Sequence, residues 1–523
     1  MLDSGIFPYG LYPEASLPAA YEAEQFTALV RLATAAYHSD QADLPASTVW
    51  PPRILSGIEI AQDVVGGLGL GGVVALTASE ITVADGDNWS ADMARYGTAD
   101  GREIEIRVAE VLDPRASDYG TPLRDTALVW RGPVARVDRL AGRKARVALG
   151  DATDRLSALL QSTRYTGTGG LQGSEALKDR PMPVCLGRRF NIQPVYLGIV
   201  DIGDGLLPTY QTHWRGIVGH NVVRMRGVTQ TKVVSTPGVS EWRDYPALGL
   251  FQLGSDPDGT VTCDVSGEAS AYPDSIAAVL WHMVSALGPQ MTDDDRDSVS
   301  WQFAEADLPG LVGFYQPAQD ITTLAAVQRI LSSCGAVLSG DRGGKLRLFD
   351  PFTATTDIQF DIAALNVVQE PEPVPLPDQL APAPREVKVD WGQNDAPIPD
   401  LGTAADATLR QRLADTTAPV ASYASNLVTQ RVARERALRL PGAYYDLVDA
   451  QARAERIGTW LEGGARAVRV MTDRYLGQIN LGDYGRVTYP GYGLDTGFAG
   501  VVVGLREYVE RRRVEIVIVG AGG

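Results

Sequence analysis

Gly101 to Val111 reads GREIEIRVAEV, and its alternation decides the class of fold. Ile104, Ile106 and Val108 fall on one side of an extended chain, Glu103, Glu105 and Arg107 on the other. Side chains of a strand alternate between faces, so a period of two marks a half-buried antiparallel strand. The same signature recurs outward from it. Leu128 to Leu149 holds two runs, LVWRGPVARV and RKARVAL, turning at Ala141-Gly142, and Leu156 to Leu160 reads as a short helix or turn. These predict a first β-barrel over residues 48–160, preceded by an arm and first strand over residues 1–47.

Downstream the pattern changes. Residues 161–269 are rich in Gly and Pro and predict loops and hairpins: a long ordered loop from Arg164 to Pro194, then hairpins around Val222 to Val234 and Gly249 to Gly267. The second turns at Ser255-Asp256-Pro257-Asp258-Gly259, where Pro fixes φ and Gly supplies a positive one. Residues 270–365 predict a small α/β module. Asp274 caps a helix with Ile276, Val279, Leu280, Met283, Val284 and Leu287 on one face, and Gly288 ends it. Thr322 or Thr323 caps a second, with Leu324, Val327, Leu331 and Cys334 along one side and Gly335 at its end. The hairpin AVLSGDRGGKLRLFD follows, turning between Gly340 and Gly344.

Glu370 to Pro384, EPEPVPLPDQLAPAP, is so dense in proline that residues 366–384 predict an extended linker. Residues 385–523 then predict a C-terminal β domain with one helix. Its strand is Glu386 to Trp391, its helix Asp449 to Leu461 with Ala454, Ile457 and Leu461 inward, and its last hairpin pairs Gly500–Tyr508 with Arg513–Gly520. The fold class is mainly β with α+β insertions, multi-domain, with two barrel-like ends around a mixed middle.

Composition narrows the function. The chain has 523 residues, 55 of them Gly and 32 Pro, which favours short strands and turns. Its 47 basic and 64 acidic residues leave a net charge of −17, whereas a broad duplex-binding face needs Lys and Arg on phosphates. The run Arg511 to Arg513 sits beside Glu507, Glu510 and Glu515 and reads as a solvated mixed-charge hairpin. Cys185, Cys263 and Cys334 are odd in number and far apart, so they read as reduced, half-buried thiols. The opening MLDSGIFPYG lacks a secretory signal pattern, and the apolar run Val64 to Leu76 falls short of the roughly 20 residues that span a bilayer.

Each chemical motif weakens on inspection. Gly67 to Gly72 fits G-x-G-x-x-G, but a strand-like VVALT follows where the dinucleotide fingerprint needs a helix N-terminus. Gly167-Thr168-Gly169-Gly170 lacks the Lys and Ser/Thr that grip phosphate and reads as a tight turn. His38, His213, His220 and His282 are the only histidines, and no G-x-S-x-G or H-E-x-x-H occurs. Asp293 to Asp297 fails as a calcium loop because its sixth position is Ser298 and its twelfth Ala304, which leaves a solvated acidic turn. The expectation is therefore no catalytic, cofactor-binding or metal-ligating residue, no cofactor, and no enzyme. A cleft with paired carboxylates would revive a third reading, a polysaccharide- or peptidoglycan-cleaving enzyme.

RYTGTGGLQGSEALKDRPMPVCLGRRFNIQPV, Arg164 to Val195, resembles a recurring segment of bacteriophage tail-tip proteins of the baseplate hub family. GLFQLGSDPDGTVTCDVSG (Gly249 to Gly267), REVKVDWGQN (Arg385 to Asn394) and NLGDYGRVTYPGYGLDTG (Asn480 to Gly497) are similar to later parts of the same proteins, in the same order. In the last motif Gly482-Asp483 makes a turn before a strand. The likeness runs from about Phe26 to Gly520, and Met1 to Gln25 matches nothing. The resemblance implies two tail-tube-like β-barrels per subunit and a homotrimer whose six barrels adapt a six-fold tube to a three-fold tip. It further implies a virion location after synthesis in the host cytoplasm, without stable membrane insertion. The implied partners are the distal tail protein, tail tube, tape measure protein and tail or central fibre proteins, with phage DNA only in passage. Under that reading the acidic balance predicts a carboxylate-lined lumen that repels DNA, the ordinary alternative being a charge that keeps a large assembly soluble before docking. A receptor-binding or fibre-attachment tail protein is the alternative.

Overall fold

The quoted alternation becomes the centre of an antiparallel sheet. The computed structural model describes residues 2–5, 29–33, 37–55, 59–65, 68, 71–75, 80–91, 101–108, 122–355 and 357–522, so the last three residues of the quoted stretch lie outside the description. Glu103–Val108 pairs with Ala127–Leu140, which pairs with Lys144–Leu149 across the expected turn, where Gly142 and Arg143 adopt positive φ. Leu2–Gly5 and Leu29–Leu32 extend one side and Glu80–Ala84 the other, making six strands. The unmatched N-terminal stretch thus contributes a strand. Ile81, Val83, Ile104, Ile106, Trp130 and Val147 fill the sheet's core.

A second large sheet closes the chain. Phe498–Tyr508 and Arg513–Ala521 form the expected hairpin, and Ala465–Thr472 pairs alongside. Phe498–Tyr508 has two partners on its other side. Its first half pairs with Tyr484–Val487, and its second half with Glu59–Asp63 from the N-terminal part of the chain. The shift falls at the bulge between Val502 and Gly504. Ile60 of that visiting strand buries itself in the core of the first sheet. The two curled, half-barrel sheets are therefore riveted together, and the chain is mainly β with several sheets.

Several expectations need correction, among them the single helix of residues 385–523, which also hold the short helices Arg410–Ala414 and Asn426–Arg431. The first part of the proline-rich linker is a strand, Val367–Val374, on the edge of the C-terminal sheet beside Ala465–Thr472. Proline lacks an N–H but survives where one side of a strand has no neighbour, and the register here slips twice, skipping Pro371. The loops-and-hairpins region is a sandwich. Val184–Ile192, Ile217–Met225, Val228–Thr229, Val261–Glu268 and Gly313–Gln316 form one five-stranded sheet. Val195–Asp201, Leu206–Gln211, Thr231–Val233, Glu241–Tyr245 and Leu250–Leu253 form the other. The expected long loop ends at Val184. The Ser255 to Gly259 turn carries the chain from one sheet to the other instead of closing a hairpin, and of the hairpin expected around Val222 to Val234 only Val228–Thr229 folds back on Ile217–Met225, whose other neighbour is Val261–Glu268. Cys185, Tyr210, Trp242, Phe251, Cys263 and Val265 pack between the sheets, each large apolar side chain contributing roughly 1.5–3 kcal/mol by burial.

Helices fill the space between sandwich and C-terminal sheet. Ser275, not Asp274, caps Ile276–His282 by accepting from the Ala278 N–H, and a wider turn, Met283–Leu287, continues it to Gly288. Thr322 caps Thr323–Cys334 and Gly335 ends it in the left-handed region. The hairpin Val337–Gly340 with Leu346–Phe349 follows as expected. Leu447–Glu462 covers the strands Glu386–Trp391, Val420–Ala424 and Ala437–Tyr444. One continuous core runs from Val64 and Leu68 through Leu280, Val327, Leu338, Val389 and Ile457 to Ile516.

In the glycine-rich motif, Gly67, Gly69 and Leu70 lie outside the described residues. Gly72–Val74 is a strand, as its sequence predicts, parallel to Val337–Gly340. A Cβ on Gly71 would lie 2.3 Å from the Leu331 carbonyl oxygen, so this glycine serves close backbone packing.

Candidate functional site

Three of the four histidines gather at the middle sandwich, while His38 is exposed. His220 Nδ1 lies 2.7 Å from Asp244 Oδ1, and its Nε2 lies 2.9 Å from Thr212 Oγ1. Hydroxyl, imidazole and carboxylate in that order is the layout of a nucleophilic triad. Access decides against that chemistry. Thr212 is 0% and His220 2% exposed, and the ring is flanked by Phe251 at 5.0 Å and Trp242 at 6.3 Å. No substrate reaches the hydroxyl. Burial alone would raise the Asp244 pKa, but hydrogen bonds from His220 and Lys232 outweigh it and hold the carboxyl below its ordinary value. The arrangement ties Ile217–Met225 to Glu241–Tyr245, one strand from each sheet.

The second cluster links sandwich to helices. His213 Nδ1 accepts from the Cys185 N–H at 2.9 Å, so its Nε2 carries the proton and donates to Glu268 Oε2 at 2.9 Å. Burial pushes the His213 pKa below its usual value, outweighing the pull of Glu268. Burial also works to raise the Glu268 pKa, but donors from His213, His282, the Ser270 N–H and Arg215 hold it well below the carboxylate range. His282, on the helix Ile276–His282, lies 3.7 Å from the same carboxylate.

Further buried pairs join segments distant in sequence. Arg453 meets both oxygens of Asp350 at 2.7 and 2.9 Å and donates to the Cys334 carbonyl at 2.6 Å. Arg224 binds Asp264 through two bonds of 2.6 Å. Arg189 pairs with Asp395, and Asn191 donates to Asn394 Oδ1 at 2.7 Å. Glu507, expected to be solvated, is fully buried and paired with Arg342 at 3.2 Å. The expected turn at Gly482-Asp483 is present: Asp483 accepts from the Asn480 N–H at 2.8 Å and from Arg347 at 2.7 Å. Asp295 and Asp297 of the acidic run are tied to Arg155 and Arg347, so only part of that turn is solvated. The three cysteines are free and fully buried, and burial raises their thiol pKa values, that of Cys334 to about 11.

Carboxylates also meet in a hollow of about 210 Å³ lined by Glu370, Glu372 and Glu515, but Arg469 spans it, 3.5 Å from Glu372 and 3.4 Å from Glu515. These groups hold one another in place.

The remaining candidate is a surface. Tyr196, Ile199 and Leu206 stand exposed on the hairpin Val195–Asp201 with Leu206–Gln211, while Val234 and Val239 project from a neighbouring loop. Leu206 is 72% and Val234 91% exposed. The loops that carry them are braced. Asp201 accepts from the Gly203 and Gly205 N–H groups, and Asp204 from Arg243, Tyr245 and Thr236. The glycine-rich turn before them is tight, as predicted, with Gly167 N–H to Gln172 O at 3.1 Å. Its flanks Tyr165, Leu177 and Met182 pack under this hairpin on Leu197 and Val200. Large aliphatic side chains displayed on hydrogen-bonded loops make this surface the candidate face. Sequence reasoning singled out no residue of this face for binding; it named Val234 only as the end of a hairpin and gave no reading of Tyr196, Ile199 or Leu206.

No family model matches the chain, and no curated protein matches it. Its structural neighbours are phage tail proteins. The 43 kDa tail protein of prophage MuSo2 from Shewanella oneidensis aligns with a TM-score of 0.37 and 10% identity over 90% of this chain and 94% of that one. A tail protein from Neisseria meningitidis MC58 aligns at 0.38 and 8% over 89% and 92%. A chain of the virion of a native gene transfer agent particle aligns at 0.39 and 14% over 66% and 85%.

Proposed function

We propose that this chain is a structural baseplate hub of a phage tail tip, a homotrimer that adapts a six-fold tail tube and distal tail ring to a three-fold tip. It supports fibres, receives the tape measure protein, and surrounds the channel through which DNA passes. It has no catalytic task. The observation that carries the reading is the pair of curled sheets fastened into one body by Glu59–Asp63, in a chain whose ordered motifs resemble the hub family. Two rigidly coupled half-barrels per subunit give six around a three-fold axis. The braced apolar hairpin around Ile199 and Leu206 supplies a face that is costly to leave wet. Among the described residues no helix is long and apolar enough to cross a membrane.

Electron microscopy of virions carrying a tag on this chain tests the proposal. Three copies in a ring at the tip, below the tube, are expected. Density at the outermost end, free of neighbouring tail components, would favour a receptor-binding or fibre-attachment protein instead, and absence from the particle would end both readings.

A further inference from the structure

A hollow of about 620 Å³ between the helices Ile276–His282 and Ser298–Asp307 carries one guanidinium, Arg296, and one carboxylate, Glu305, and so favours neither sign of charge. A second hollow does. It measures about 380 Å³ and lies where the middle sandwich meets the helix Thr323–Cys334, within the span of about 300–1,000 Å³ usual for small-ligand sites. Arg180 reaches it from the segment after the glycine-rich turn, Arg329 from the helix, and Asp395 from the loop after Glu386–Trp391.

The charges there do not cancel. Asp395 is already matched, because the buried Arg189 faces both of its oxygens, one of them at 2.7 Å. That leaves both lining guanidiniums without a counter-charge. Arg180 is exposed and its side chain has no ion-pair or hydrogen-bond partner among the described residues. Arg329 is held by neutral groups alone, 4.9 Å over the Phe314 ring and 3.3 Å from Gln316 Oε1. Partial burial and repulsion from Arg189 keep the Arg329 pKa below its ordinary value, and Asp395 offsets only part of this. Burial works on Arg189 in the same direction, yet its own carboxylate outweighs it and raises the pKa. The contrast is between an arginine with an anion and one without. Around the two free guanidiniums, Leu177, Pro194, Val195, Pro317 and Ala318 supply apolar wall.

We propose that this hollow binds an aliphatic carboxylate, its oxygens on Arg180 and Arg329 and its carbon body against Leu177, Val195 and Ala318. A guanidinium fork matches the two oxygens of a planar carboxylate. Phosphate offers oxygens too, but it leaves the apolar wall without a partner, and its higher charge is penalised more by Asp395. The carboxylate can belong to a free organic acid or to a Glu side chain of another polypeptide, since the chemistry at the guanidiniums is the same. The inference stands apart from the tail-tip reading, because it rests on this hollow alone.

Ligand-observed NMR titrations of the full chain test it with 4-methylpentanoate, the uncharged 4-methylpentanamide and inorganic phosphate. The acid should bind about tenfold or more tighter than either, and more weakly as salt is raised. A protein of net charge −17 repels anions in general, so such a preference needs a local site. Arg180→Gln and Arg329→Gln should each weaken the acid about tenfold. Arg136→Gln, at an exposed arginine of the first sheet, should leave it unchanged. The Arg180 side chain holds nothing else in place, so its variant should fold normally, and circular dichroism verifies both. A doubly capped Leu-Glu-Leu peptide with a Gln twin separates the sources. Tighter binding of the Glu peptide than of the free acid assigns the site to a polypeptide, weaker binding to a small molecule, and either upholds the proposal. An amide that binds as well as the acid, phosphate that binds more tightly, or binding indifferent to both Arg180→Gln and Arg329→Gln overturns it.

Discussion

Asp350 is fully buried, and a carboxylate there is tolerable only because Arg453 faces both of its oxygens and Arg456 approaches at 3.2 Å. Removing one partner of a buried pair costs about 3–5 kcal/mol, whereas replacing both by apolar groups is often near neutral. Arg453→Met should therefore lower unfolding free energy by about 3 kcal/mol, the lower figure because Arg456 remains. The double variant with Asp350→Leu should recover most of it in the same urea titration. A pH series reads the histidine cluster. His213 has a folded pKa below its ordinary value, so below about pH 6.5 the unfolded chain takes a proton that the folded one refuses. Stability must fall as pH drops from there toward the folded pKa, by up to about 1.4 kcal/mol per unit. Glu268 and Asp244 are also depressed, but their contribution is present above the ordinary carboxylate range and is lost only in stronger acid. His213→Asn should flatten the slope between about pH 6.5 and 5 and leave the steeper acid loss in place. An unchanged slope there would remove His213 as its source.

At the scale of elements, legibility followed exposure. Glu103–Val108 alternates because one side of its sheet meets water, and Thr323–Cys334 announces itself by Thr322 and Gly335. Val184–Ile192 is buried at every position but Arg188, so no alternation marks it and it reads as loop. Ser298–Asp307 escaped notice because Val299 and Phe303 spoil its polar face. The polar clusters were illegible for another reason: His213 and Glu268, or Arg453 and Asp350, meet only through tertiary pairing. The turn at Gly482-Asp483 was readable and can be tested. Gly482 has φ +84° and a Cβ there would lie 2.5 Å from the Phe349 ring, so Gly482→Ala should cost about 1–3 kcal/mol in thermal or urea unfolding. A loss below about 0.5 kcal/mol would mean the turn relaxes freely. The edge strand Val367–Val374 makes the complementary case. Prolines and glutamates on an edge block pairing with another chain. Replacing Pro371 and Pro373 with Thr should therefore leave unfolding free energy within about 1 kcal/mol while light scattering on heating rises sooner.

For the whole molecule, the unit of stability is not a run of sequence. Glu59–Asp63 hydrogen-bonds in the C-terminal sheet, its Ile60 sits in the N-terminal core, and its Gln62 donates to the Gly340 carbonyl at 2.9 Å. Gly72–Val74 then pairs with Val337–Gly340. Residues 59–75 thus bridge three regions that composition alone would separate at a proline-rich boundary. A chain beginning at residue 122 keeps the sandwich and its core, but it loses four of the six strands of the first sheet and leaves the second half of Phe498–Tyr508 and one side of Val337–Gly340 unpaired. Exposed ladder edges over apolar Leu505 and Leu338 favour association. The truncated chain should therefore aggregate, or unfold at lower denaturant than the intact protein when followed by tryptophan fluorescence. Adding a synthetic peptide of residues 59–75 in excess should raise the midpoint with peptide concentration, as any ligand of the folded state must. A truncated chain that is monomeric and as stable as the intact one, and indifferent to the peptide, would mean that the C-terminal sheet does not depend on Glu59–Asp63. Six barrels could then not be set in fixed geometry by three subunits, so the same titration weighs on the rigid coupling that the proposed ring requires.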